Sequence, residues 1–399
     1  MDLREQKSRR RFLKELGIGM VAAAFVGSAA DAQSPPRAPQ NLRLGGIIIS
    51  SVSGTVVHGQ SLTIRGIGFG TKTRAAPLAY DDFSNGTAGQ PVSSCCYTNS
   101  GNFFTYDNSV VRGVHALSAR HTSVDGNRSL SVSWGSRSRF LTFDGWSYDR
   151  WQFEIDDYGS WNGGKYFSIY NGTALSAGRT YGGIGAYYDS KYPAINRWGI
   201  SAQHDPAGSA VPKEPPYWMG RGEIIGVGAF KQPPWKARWV HWTGIMECTE
   251  VPGVAGVFDL RADVTELRSL RMPEHLRTNW ATTMPGNDPW IGAMLWGNYF
   301  GGVRPPETTP PGPNHITRRW SCLYTDDSWA RVELADSADW GSATLREIQI
   351  PTRWEDESIT VTVNQGLFVA DTPVYLFVVN PRGAMSRGYG PLVISRGAS

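Results

Sequence analysis

The sequence predicts an all-β, antiparallel fold, on three observations. After residue 32 no long stretch repeats its apolar residues with the 3.6-residue period of a helix. Short alternating runs recur instead, such as Ile359-Thr360-Val361-Thr362-Val363, and each is bounded by Gly, Pro, Asn or Asp. The composition, with 46 Gly, 25 Pro, 16 Trp and 16 Tyr against 19% charged residues, is that of a turn-rich, aromatic-rich globular chain built as packed sheets.

Taken in order, the chain begins with Ser8-Arg9-Arg10-Arg11-Phe12-Leu13-Lys14, an apolar run over 16–30, and the small-residue end Ala30-Asp31-Ala32. The heptapeptide fits the pattern S-R-R-x-F-L-K, and the whole resembles a twin-arginine export signal with a basic start, a modest apolar middle and an A-x-A cleavage site. Gly17, Gly19, Gly27 and Ser28 interrupt an apolar run that is already short for a membrane span. The resemblance implies that 1–32 is removed, that the mature chain starts at Gln33, and that the protein works in the periplasm or is secreted. The signal holds six of the 39 basic and four of the 35 acidic residues, so 33 face 31 in the mature chain, a net charge of +2. Neither nucleic acid nor an anionic membrane is expected as a partner. The proline-rich stretch 33–41 reads as an extended linker.

Cysteines stand at 95, 96, 248 and 322. A bridge between neighbours closes a strained eight-membered ring, and pairing of Cys95 or Cys96 with Cys248 or Cys322 depends on geometry beyond the sequence. Free, buried thiols are the expectation. There is no C-x-x-C, no H-E-x-x-H and no calcium-loop pattern, and the seven histidines are scattered, so no dedicated metal site and no cofactor are expected. Asp156 and Asp157 beside Tyr158 could hold Ca2+ at a loop, although paired acids before Gly159 more often make a solvated turn.

Two strands are predicted at 47–52 and 61–65, running into the glycine corner Gly66-Ile67-Gly68-Phe69-Gly70. The corner lacks the G-K-[ST] of a phosphate loop, and no helix pattern follows it. His58-Gly59-Gln60-Ser61-Leu62-Thr63-Ile64 with this corner resembles the opening hairpin of immunoglobulin-like IPT/TIG domains. The rest of such a domain resembles the far end of the chain: 330–334, 346–350, 359–363, 374–379, and Trp354-Glu355-Asp356-Glu357-Ser358-Ile359-Thr360-Val361, which is similar to the family's W-x-D-x-x-I-x-V segment. The resemblance implies one sandwich in two parts, 42–77 and 317–399, with Ile359, Val361 and Val363 facing its core and Thr360 and Thr362 facing water. Residues 78–316 are then an insert.

Strand patterns in the insert fall at 130–134, 151–155, 166–170, 182–188, 197–202, 224–230, 239–247, 257–261 and 290–296, before a proline-rich exit at 304–313. The run Trp239-Val240-His241-Trp242-Thr243-Gly244-Ile245-Met246-Glu247, followed by 253–260 and 264–267, resembles the ladder of concanavalin-like jelly rolls. That family includes laminin G modules, lectins and polysaccharide lyases. The complete expectation is a concanavalin-like jelly-roll sandwich inserted into an immunoglobulin-like IPT/TIG sandwich.

Tryptophans are concentrated in the insert, among them Trp146, Trp151, Trp161, Trp198, Trp218, Trp235, Trp239, Trp242, Trp290 and Trp296. Sugar rings stack their C–H faces on indoles while their hydroxyls take hydrogen bonds, so a polysaccharide or glycan is the expected partner. Trp239 and Trp242 differ in parity and fall on opposite faces of their strand. The candidate ligand-binding residues are Trp198, Trp242, Tyr170 and Lys165. For catalysis, resemblance to the jelly-roll lyases implies an acid, a base and a group that neutralises a uronate carboxylate. The run 197–204 supplies Arg197, Gln203 and His204, and Tyr187 and Tyr188 precede it. Family lyases of one type carry Q-x-H on one face. Gln203 and His204 are adjacent, so a bulge or strand end is needed to align them, and otherwise His204 caps the loop before Asp205-Pro206. Glu154 and Glu247 are a further acidic pair of the kind a glycosidase uses, and no G-x-S-x-G elbow is present. The expected function is an exported carbohydrate-binding protein of envelope or matrix. A polysaccharide lyase using His204, Tyr188, Arg197 and Gln203 is the alternative, and a structural or adhesive spacer is the third reading.

Overall fold

A computed structural model describes residues 43–44, 46–122, 129–151, 164–170, 180–187, 197–201, 237–247, 257–262, 265–271, 291–297 and 316–396. Among them no helix is long and apolar enough to cross a membrane. Among the described residues, apart from two single 3-10 turns, the regular structure is β.

The chain opens with β1 (Arg43–Leu44), β2 (Ile48–Ser53) and β3 (Ser61–Ile67). Four short strands follow: β4 (Ala79–Asp81), β5 (Thr98–Asn99), β6 (Thr105–Asp107) and β7 (Ser118–Thr122). Then come β8 (Leu130–Ser138), β9 (Phe140–Trp151), β10 (Gly164–Tyr170), β11 (Thr180–Tyr187) and β12 (Arg197–Ser201). β13 (Trp239–Glu247), β14 (Val257–Ala262), β15 (Thr265–Arg271), β16 (Ile291–Trp296) and β17 (Ile316–Asp326) complete the middle of the chain. The last six are β18 (Arg331–Ala335), β19 (Arg346–Trp354), β20 (Ser358–Thr362), β21 (Pro373–Val379), β22 (Ala384–Met385) and β23 (Tyr389–Val393).

Three sheets result. The first has the order β1-β22-β21-β18-β19-β20-β3-β2, with β23 on β21, so the two ends of the chain form one sheet. Its join is the antiparallel pair β3 and β20, in which Leu62 lies opposite Val361 and Ile64 opposite Ile359. Both strands alternate, so these four side chains are fully buried in one core with Val332, Leu334, Val374 and Leu376, while Thr360 and Thr362 remain partly exposed. The corner after β3 needs glycine, because Gly68 sits at φ +81° and a Cβ there would lie 2.2 Å from the carbonyl oxygen of Gly46.

The second sheet runs β12-β11-β10-β16-β8-β5, and the third runs β15-β14-β13-β9-β17-β7-β6 with β4 added to β17. They pack through aromatic rings: Phe143 of β9 lies 4.8 Å from Phe167 of β10 and 5.8 Å from Trp296 of β16, and Trp296 lies 5.2 Å from Trp320 of β17. β16 is buried along its whole length because both its faces are covered. Strand β17 pairs with β9, β7 and β4, so the third sheet extends along the chain to Asp326.

Candidate functional site on the outer face of the third sheet

Side chains of β9 alternate. Phe143, Gly145 and Ser147 point toward the second sheet, and Asp144, Trp146 and Tyr148 point away from it. Register brings neighbours onto this outer face: His241 lies opposite Trp146, Trp239 opposite Tyr148, and Arg319 opposite Tyr148 on the other side. At one end the face is partly open. Half-buried Trp239 and Tyr148 have ring centroids 5.6 Å apart at 59°, and the Trp239 Nε1–H donates to the Val111 carbonyl at 3.0 Å. The Arg319 guanidinium lies 5.8 Å from the Tyr148 ring and donates to Asp107 and, at 2.9 Å, to Ser109 Oγ. Arg120, with a side chain 42% exposed, stands 3.6 Å from Asp107. Burial pushes the Asp107 carboxyl up, but the hydrogen bonds from Arg319 and Ser109 and the charges of Arg319 and Arg120 outweigh it and hold the group below its ordinary value. The result is an aromatic pair beside an ionised carboxylate and a reachable guanidinium.

Farther along, the same face is covered. Trp146 stacks on His241 at 4.3 Å with an interplanar angle of 5°, and the Arg112 guanidinium lies 4.1 Å over the Trp146 ring. His241 Nε2 bonds Asp144 Oδ2 at 2.8 Å. Arg112 also pairs with both oxygens of Glu347 on β19 and reaches Cys322 Sγ at 3.2 Å. Burial pushes the Cys322 thiol up to about 12 against the pull of Arg112, so the group is a neutral thiol. With His241 only 3% exposed, this histidine–carboxylate pair is in no position to meet a substrate proton. Beyond it a cavity of about 30 Å³ is lined by Asp144, Thr243, Arg261, Arg331, Glu333 and Arg346, room for one or two waters. Glu333 accepts from Arg331 Nε at 2.5 Å and Trp340 Nε1 at 2.6 Å, and Arg346 stacks over Trp340 at 3.8 Å.

The sequence-predicted residues fall elsewhere. Arg197 and Trp198 lie on β12, paired with Tyr187 and Ala186, and Lys165 and Tyr170 lie near the ends of β10, all in the second sheet. Tyr188, Gln203 and His204 lie outside the described residues, as do Asp156, Asp157 and Cys248. Trp242 is a correction. It is fully buried on the inner face, 6.4 Å from Phe167, with its Nε1–H donated to Ser147 Oγ at 2.8 Å, so no ring face is left for a sugar. Parity separates Trp239 from Trp242, and it is Trp239 that points outward. Cys95 is exposed rather than buried, and Cys95, Cys96 and Cys322 are free thiols.

Sequence reasoning missed Tyr148, Arg319, Asp107 and Arg120. The signal for Tyr148 was its parity with Trp146 in a twelve-residue strand; Asp107 and Arg120 sit on strands too short to show a period. Among the described residues one group, His58, Asp82 and His115, has the spacing of metal ligands.

No family model and no curated protein matches the chain. Among solved structures it is similar to an alginate lyase, Aly36B, in complex with an alginate tetrasaccharide, at 13% identity and a TM-score of 0.39 over 63% of this chain and 98% of that one. It is similar to the marine PL-14 alginate lyase from Aplysia kurodai at 12% identity and a TM-score of 0.39, covering 63% and 99%. The carbohydrate recognition domain of Emp46p is similar at 11% identity and a TM-score of 0.32, covering 64% and 97%. Likeness at this level assigns no residue of this chain a role.

Proposed function

We propose that the chain is an exported carbohydrate-binding protein and that its glycan lies along Trp239 and Tyr148, with Arg120 at the edge of the site. One observation carries the reading: a half-buried aromatic pair on a sheet face beside the Arg319–Asp107–Arg120 cluster. An indole and a phenol offer faces for sugar C–H groups. Arg120 offers guanidinium N–H donors to hydroxyl or carboxylate oxygens, while Arg319 is already committed to Asp107 and Ser109 and serves to position them. We further propose that the second and third sheets make a concanavalin-like jelly roll and that the first sheet is the split IPT/TIG-like sandwich. Elimination on a uronate polymer by Arg197, Gln203, His204 and Tyr188 is the alternative.

Titration of the protein with alginate, pectate and neutral glucans, followed by calorimetry and by ultraviolet absorbance, tests both. The expected result is saturable binding without a rise in absorbance. Trp239→Ala should weaken it about thirtyfold, the roughly 2 kcal/mol of an aromatic hot spot. Unchanged affinity in Trp239→Ala and Arg120→Ala would refute the placement, and a growing unsaturated-product absorbance would establish the lyase reading instead.

A further inference from the structure

His58 lies in the turn between β2 and β3, Asp82 follows β4, and His115 closes the turn before β7. One ligand atom from each lies within 4.8 Å of the others. The imidazoles meet edge to face at a centroid distance of 5.0 Å, and His115 Nδ1 stands 3.8 Å from Asp82 Oδ2. His115 is 2% exposed, and its Nε2 is engaged by Asn364 Oδ1 at 2.9 Å. That bond fixes Nε2 as the N–H donor and leaves a lone pair on Nδ1. Among the described residues, His115 Nδ1 and His58 Nδ1 are both buried without a hydrogen-bond partner. Two buried, unpartnered ring nitrogens in a cluster with one carboxylate are costly unless something sits between them.

We propose that His58 Nδ1, Asp82 and His115 Nδ1 bind a divalent transition metal, Zn2+ by preference, with water as the fourth ligand. Imidazole nitrogens and a carboxylate suit Zn2+ and do not suit Ca2+, which takes oxygen ligands. The His115 Nε2–H to Asn364 bond is the outer hydrogen bond that orients a ligating histidine. Bonds of about 2.0–2.1 Å put tetrahedral ligand atoms about 3.4 Å apart, so the three must close by up to about 1.4 Å. Asp82 has a side chain 19% exposed and His58 is half-buried in a turn, so both can move that far.

The ion would be a clip. His58 and Asn364 flank strands of the first sheet, whereas Asp82 and His115 flank strands of the third. The 112–115 turn is already pressed against the 364–367 segment: Val114 N–H donates to the Gly366 carbonyl at 3.2 Å, and a Cβ on Gly113, at φ +55°, would come within 2.0 Å of that oxygen.

The test uses the full chain, without a polyhistidine tag and with Cys95→Ser and Cys96→Ser to remove the exposed thiols. After chelation it is titrated with Zn2+ by competition and with Co2+ by visible absorption. The expected result is one Zn2+ per chain at micromolar or lower Kd, and Co2+ bands of four- or five-coordinate intensity. His58→Gln and Asp82→Asn should each weaken Zn2+ by at least about 100-fold, at or beyond the upper end of what loss of an outer hydrogen bond costs. His115 supports the fold through Asn364, so the more exposed His58 and Asp82 carry the test, with circular dichroism confirming that each variant is folded. Absence of stoichiometric Zn2+ uptake by the folded chain, uptake unchanged in both variants, or preference for Ca2+ would overturn the proposal.

Discussion

Replacing Glu333 by Gln removes one negative charge from a pocket that holds Arg331 and Arg346, with Arg261 5.2 Å from the Trp340 ring. Burial pushes the Glu333 carboxyl up, but the charges of Arg331 and Arg346 and the hydrogen bonds from Trp340 and Arg331 bring it down from 4.5 to about 2. A folded-state value below the unfolded one means that the contribution is complete above about pH 4.5 and is lost as pH falls through about 2. A shift of about 2.5 units at 1.36 kcal/mol each is about 3 kcal/mol. At neutral pH the variant should lose about 3–5 kcal/mol, because the arginines stay buried without their counter-charge. Burial already draws Arg346 down to about 10, so the cluster as a whole contributes less than Glu333 alone suggests. Urea unfolding from about pH 7 to pH 2 reads both effects. Wild type should lose about 3 kcal/mol more than the variant between about pH 5 and pH 2. Equal acid sensitivity in the two proteins would refute the argument. Adding Arg346→Met should recover part of the loss, since it removes an uncompensated charge.

Two further outcomes follow from other parts of the chain. Replacing Arg9 and Arg10 by Lys should hold the precursor in the cytoplasm, and undiminished export on cell fractionation would remove the twin-arginine assignment. A fragment of residues 34–75 should show the narrow amide dispersion of an unfolded chain, because Leu62 and Ile64 find their core only against Ile359 and Val361; dispersed signals from the isolated fragment would count against that dependence.

Where one face of a strand is buried and the other is wet, the sequence was readable. Ile359, Val361 and Val363 alternate with threonines and are buried as their parity requires. Legibility failed where a sheet is covered twice. In β18, Arg331 and Glu333 alternate with Val332 and Leu334, the pattern of a strand with one wet face, yet all five residues of the strand are buried, with residues of the third sheet beside Arg331 and Glu333. The Arg112–Glu347 pair spans 235 residues and His115–Asn364 spans 249, and no local pattern announces contacts of that range. For the same reason the histidines looked scattered: His58 and His115 are 57 positions apart and flank strands of different sheets. Strands of two to five residues between 79 and 122 carry too few alternations to be seen.

The turn at 111–115 joins the features that matter most. Val111 accepts the Trp239 indole N–H, Arg112 covers Trp146 and pairs with Glu347, Gly113 and Val114 rest on Gly366, and His115 faces His58 and Asp82. Backbone hydrogen bonds between Arg112 and His115, at 3.2 and 3.0 Å, close residues 112–115 into one turn, directly after Val111. A cation held by His115 would therefore fix the carbonyl that orients Trp239, and a sugar stacked on Trp239 would restrain the turn that presents His115. Coupling of that kind is reciprocal by thermodynamic necessity, so metal should strengthen glycan binding by the same factor as glycan strengthens metal binding. The proposed glycan platform and the proposed clip share this segment, and the buried charges of Arg112 and Glu347 keep it from being displaced without leaving an ion unpaired.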